Sequence, residues 1–122
     1  MAFKRIILEM GTGNDLYGED YTKAACRAVQ DALHHSSLSL FRTLGLEREA
    51  MHVTVSIGVQ QPDRVDTNAV AEQIPYGKVT VEVTLGGLNI HDEESDSVSV
   101  IAAASVAARL DLPAGKYTLS AK

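Results

Sequence analysis

Residues 3–33 read FKRIILEMGTGNDLYGEDYTKAACRAVQDAL, and the hydrophobic pattern changes twice within them. Phe3 to Met10 is rich in β-branched and large apolar residues, which predicts a first strand stopped by Gly11. Gly11 to Gly18 follows as a glycine-bearing loop. From Asp20, a plausible N-cap, Ala25, Ala28, Val29, Ala32 and Leu33 recur at helical spacing, with Lys23, Arg27, Asp31 and His34 on another face. Strand, loop and helix in this order open an α/β unit.

The rest of the chain extends that unit. Leu38 to Leu44 predicts a second short helical piece ending at Gly45. Met51 to Val59 alternates: Met51, Val53, Val55, Ile57 and Val59 face one way, and His52, Thr54, Ser56 and Gly58 the other. Asp66 caps a helix over Thr67 to Gln73, closed by Pro75. Lys78 to Leu88 is a third strand, with Val79, Val81, Val83 and Leu85 opposite Lys78, Thr80, Glu82 and Thr84. Val98 to Val106 reads as a fourth strand, returned antiparallel to the third by Gly86-Gly87 and the acidic block His91 to Asp96. The expectation is a single α/β (α+β) domain over 1–122: a four-stranded mixed sheet, order β-α-β-α-β-β, with helices on one face. Thr54, Ser56, Thr80, Thr84, Ser99 and Ala103 leave the other face small and mildly polar. An open sheet with such a face predicts packing against copies of itself, best as a homotrimer with sheets inside.

Composition narrows the function classes. Eleven basic against sixteen acidic residues give a net charge of −5. With no basic run, no tryptophan and six aromatic residues, nucleic acid is a poor partner. No apolar run reaches the roughly 18 residues of a membrane span, and the start is too short for a secretory signal, so the expected location is cytoplasmic. Cys26 is the only cysteine. No disulfide framework or cysteine zinc site can form within the chain, and His34, His35, His52 and His91 are scattered, so neither a metal nor a cofactor is expected.

The site-like segment is Gly11 to Gly18, expected at the carboxyl end of a strand and before a helix, where ligands favour open α/β sheets. Gly11, Gly13 and Gly18 permit close backbone approach, with Asn14 and Tyr17 beside them and Lys23 and Arg27 flanking the loop. Leu16 breaks the dinucleotide pattern and no Gly-Lys-Ser/Thr follows, so neither phosphate loop applies. Asp15 and Glu9 form the candidate acid/base pair across the turn, Lys23 or Arg27 would hold a carbonyl or carboxylate, and Ser56 would line the opposite wall. His52, about 13 Å from Ser56 along the strand, is no base for it. A tight turn in which Asp15 bonds its own backbone satisfies the same spacing.

Gly11-Thr12-Gly13-Asn14-Asp15-Leu16-Tyr17-Gly18, followed by Asp20-Tyr21-Thr22-Lys23-Ala24-Ala25, resembles the signature of a small family of uncharacterised bacterial and plant proteins, written GxGxDxHG. Tyr17 stands where that family usually has histidine. The likeness runs through Ser56-Ile57-Gly58-Val59, Val65-Asp66, Pro75-Tyr76-Gly77 and Gly86-Gly87-Leu88. The element order is also similar to one repeat of the ring-opening amidohydrolases, the cyanuric acid hydrolase and barbiturase group, with Ser56 at the position of the serine after the second strand. That resemblance implies a hydrolase acting on a cyclic amide or ureide, although the lysine of the repeat has no counterpart here. The order resembles the trimeric chorismate-mutase-like architecture as well, whose sites lie between subunits. Together these imply a protein that binds or transforms a small polar molecule at inter-subunit clefts near Gly11–Gly18. The alternative is a non-catalytic oligomeric scaffold.

Overall fold

The computed structural model describes residues 3–34, 51–75 and 77–111. Within them run β1 (Phe3–Asp15), α1 (Tyr21–His34), β2 (His52–Val59), a 3-10 turn (Pro62–Arg64), α2 (Thr67–Ala71), β3 (Lys78–Leu85), β4 (Leu88–Asp92) and β5 (Ser97–Asp111). Among the described residues the fold is mixed α+β, one five-stranded sheet with two helices. The helical piece expected over Leu38 to Leu44 lies outside the described residues.

The sheet runs β1-β5-β2-β3, with β4 also paired to β5. β5 is antiparallel to β1, β2 and β4, while β2 and β3 are parallel. The last strand is thus inserted between the first two. Two expectations are corrected here. The sheet has five strands, not four, and the returning strand pairs with β1, β2 and β4, not with β3. The Gly86-Gly87 pair makes the difference: it ends β3 at Leu85 and shifts the chain sideways, so that β4 continues the line of β2 along β5. A Cβ on Gly87 would stand 2.2 Å from the Ile101 carbonyl oxygen, and its φ of +62° favours glycine. Glu93, Glu94, Ser95 and Asp96 form the β4–β5 turn, where Asp92 accepts the N–H of Glu94 at 3.0 Å.

Both helices cover one sheet face and touch one another: the Cys26 thiol reaches the Ala69 carbonyl and Gln30 bonds Gln73. Between the layers lie Ala24, Ala25, Ala28, Val29 and Ala32 of α1, Val70 of α2, and Val53, Val55, Ile57, Val100, Ala102 and Ala104 of the sheet, all buried. The alternation expected for β2 is the one observed, with Met51, Val53, Val55, Ile57 and Val59 inward. Asp66 caps α2 by accepting the N–H groups of Asn68 and Ala69.

The largest departure concerns the glycine segment. β1 does not stop at Met10; it continues through Gly11, Thr12, Gly13 and Asn14 to Asp15, each paired with β5. Gly11 and Gly13 are strand residues without positive φ. A Cβ on Gly11 would lie 2.4 Å from the Ala32 nitrogen, and one on Gly13 2.3 Å from the Ala28 nitrogen. They therefore let an alanine-faced helix lie directly on the strand. The loop itself is only Leu16 to Asp20.

Candidate functional site

Asp15 ends β1 and is 6% exposed. One of its oxygens, Oδ2, accepts the N–H groups of Gly18 at 3.1 Å and Asp20 at 2.9 Å. That carboxylate folds the chain back from the strand into α1, a local turn of the type open to aspartate. Glu19 takes the strained step in the loop, with φ of 47°. Asp20 then accepts the Lys23 N–H at 3.0 Å and starts α1, as expected of an N-cap. From the second turn, Arg27 donates to the Asn14 carbonyl at 2.6 Å, its nitrogen 3.8 Å from the other Asp15 oxygen.

This leaves a recess of about 450 Å³ between the loop and the first turns of α1. Buried Asp15 lies at its base, exposed Leu16, Tyr17 and Gly18 line its loop side, and Asp20 with Lys23 and Arg27 of α1 its other wall. Tyr17 is 80% exposed. Of the residues expected at the site, Asp15, Tyr17, Gly18, Lys23 and Arg27 meet here, with Asn14 contributing its carbonyl. Gly11 and Gly13 lie instead beneath α1.

Glu9 does not meet Asp15 across a turn. Both belong to one extended strand, so six residues separate them by about 20 Å. Ser56 is also elsewhere. It pairs with Ser105 on the face turned away from α1 and α2, whereas Asp15 pairs with Val100, five residues and about 17 Å along β5. Ser56 lines a second, shallower cavity of about 610 Å³ with Met10, Thr84, Ala103 and Ser105.

Two features escaped the sequence. Asp31 accepts the Thr12 N–H at 2.9 Å, so α1 reaches around the outer edge of β1. Tyr21, fully buried, accepts from Asn89 at 2.7 Å beneath the guanidinium of Arg64, 4.8 Å from its ring centroid. Neither arrangement has a short-range signature, since each joins elements distant in the chain. Among the described residues no group of three or more His, Cys, Asp or Glu side chains is placed to hold a metal ion. No helix among them is long and apolar enough to cross a membrane.

Residues 5–108 match the family model described as Conserved hypothetical protein (Lin0512_fam). The chain belongs to this family. A crystal structure from Nostoc punctiforme, described as an FtsZ-like protein of unknown function, is similar to this Lin0512 family member at 32% identity. The likeness covers 92% of this chain and 99% of that one, with a TM-score of 0.80. No curated protein matches the chain.

Proposed function

We propose that this Lin0512 family member binds a small polar molecule carrying a carboxylate or carbonyl, in the recess between the Leu16–Asp20 loop and α1. The observation that carries it is the division of labour among the charges there. Asp15 is spent on two loop amides, whereas Lys23 makes no ion pair among the described residues, and Arg27, held against the Asn14 carbonyl and 3.8 Å from Asp15, keeps its charge half-exposed in the helical wall. An incoming anion therefore meets two cations beside an exposed tyrosine. Binding is favoured over proton transfer, because protonating Asp15 weakens the bonds that shape the loop. Hydrolysis of a cyclic amide with Ser56 would need that residue from a neighbouring copy. A reducing, cytoplasmic setting suits the free thiol of Cys26.

The test is a thermal-shift titration against small carboxylates, cyclic ureides and phosphates, in which a ligand at about 100 times its Kd adds about 2.7 kcal/mol. A saturable shift with carboxylates, lost in Lys23→Ala and Arg27→Ala, is expected. A shift that survives both substitutions, or none across the panel, would overturn the proposal.

Assembly is the second reading, favoured by the sheet face turned away from α1 and α2, where Met10 is 66%, Leu88 53% and Ile90 49% exposed. Three copies joined through that face would form a scaffold. Light scattering then gives three chain masses or a multiple of three, and Met10→Lys loses that threefold; a wild-type monomer or dimer rejects it.

A further inference from the structure

We propose that two copies of this chain join edge to edge through β3, in a single antiparallel register set by Lys78, Thr80 and Glu82. The inference is independent of the recess.

β3 is the last strand of the sheet path and pairs only with β2 among the described residues. The Lys78 N–H bonds the Met51 carbonyl at 2.8 Å, and the Gly86 N–H bonds that of Val59 at 3.0 Å. Even-numbered residues therefore turn their amides towards β2. By the alternation of a strand, the amides and carbonyls of Val79, Val81 and Val83 point out of the sheet. Those three side chains pack against the core yet stay only partly buried. The opposite edge is treated differently: Asp31 occupies the Thr12 amide and Arg27 the Asn14 carbonyl. Such capping blocks strand addition on β1. No described side chain does the same on β3.

An antiparallel neighbour must set outward-pointing groups against outward-pointing groups, so the numbers of two opposed residues from two copies sum to an even value. Few two-fold registers remain. Centred on Glu82, the pairing opposes two like charges; centred on Val81, it sets Lys78 against threonine. Centred on Thr80, it places Lys78 of each copy opposite Glu82 of the other and Thr80 opposite Thr80. It also makes Val79 and Val81 exchange both backbone hydrogen bonds, twice. Lys78, Thr80 and Glu82 are all exposed and share one face. Charge complementarity thus selects a second copy as the occupant and fixes its register. The same parity keeps the helices of both copies on one side of a continuous sheet.

In the register centred on Thr80, the two threonines form a non-hydrogen-bonded pair, whose Cβ atoms come within disulfide reach. In a Cys26→Ala background, oxidised Thr80→Cys is expected to run as a covalent dimer. Thr84→Cys stays monomeric, because its opposed positions would lie eight residues apart, about 27 Å. Lys78→Glu and Glu82→Lys each abolish the Thr80→Cys cross-link, and the two together restore it. All these positions are exposed, and circular dichroism checks that each variant folds. Cross-linking no greater for Thr80→Cys than for Thr84→Cys, or failure of the double exchange to restore it, overturns the proposal.

Discussion

Gly13 shows how far one residue type can mislead when read alone. Glycine followed by Asn-Asp is normally punctuation, and a chain that has just run through an apolar-rich strand of eight residues invites a stop there. The same missing Cβ serves strand–helix contact, and the partner that explains it, Ala28, lies fifteen residues on. Gly13→Ala brings a methyl carbon to 2.3 Å from the Ala28 nitrogen and 2.4 Å from the Ala24 oxygen, both backbone atoms that cannot rotate away. The expected cost is about 2–3 kcal/mol, seen as a lower denaturant midpoint. Asp15 was legible as either a turn-former or an acid, and its two amide bonds favour the former. Asp15→Ala should destabilise by about 2 kcal/mol and Asp15→Asn by less, as asparagine keeps one acceptor oxygen. A rise in stability for Asp15→Asn would instead mark a strained carboxylate. At Cys26, burial first, then the carboxylates of Asp20, Asp66 and Glu72, push the thiol above its ordinary value of 9.0. A raised folded-state value means that the stability it supplies is complete below about pH 9 and is lost as pH rises further. Urea midpoints followed upward from neutral pH should therefore fall faster in the wild type than in Cys26→Ala.

At the level of elements, what the chain advertises locally is what it forms. The alternation of Met51–Val59, the alanine stripe of α1 and the Asp66 cap depend on neighbours within a few residues, and all three are in place. The alanines at 102–104, good helix formers, are overridden because β5 is held by strands on both flanks. Lys78 to Leu88 illustrates the limit: its apolar pattern runs on to Leu88, yet the strand breaks at Gly86-Gly87. The break arises from a close crossing against Gly58 and Ile101, which no local pattern records. Gly87→Ala should cost about 3 kcal/mol, from the left-handed backbone and the clash together. Amide exchange of β4 should speed up while that of β2 is least affected. At the guarded edge of β1, Arg27→Ala removes one partly exposed hydrogen bond, with a stability change of about 1 kcal/mol or less. Its clearer effect should be aggregation, measured by turbidity at high concentration, because the Asn14 carbonyl is then open to strand addition.

For the whole molecule, the class of fold and the placing of the two described helices on one sheet face were within reach of the sequence, but the sheet order was not. Periodicity reports which way a residue faces and is silent about which strand lies beside it. β1 and β2 look like neighbours joined by a helix, and only the pairing of Asp15 with Val100 and of Gly58 with Ala103 reveals β5 between them. The site was half legible for the same reason. Residues close in sequence, from Asp15 to Arg27, do converge, whereas Glu9 and Ser56 were joined to them on chemistry and are separated by the geometry of extended strands.

The insertion of β5 also governs when this protein can form. β1 leaves the ribosome before α1, yet the strand that satisfies the inner edges of both β1 and β2 is the last one described. The N-terminal two-thirds therefore emerges as three parallel-running strands of which only β2 and β3 can pair. A chain arrested before Ser97 offers apolar strands with nothing between them, a substrate for chaperones more than a folding intermediate. Completion must come in a late, concerted step dominated by contacts far apart in sequence, which predicts slow refolding for its size, on the order of milliseconds to seconds. Rotating the order of synthesis so that β5 is made first would be expected to quicken folding while leaving the finished sheet the same.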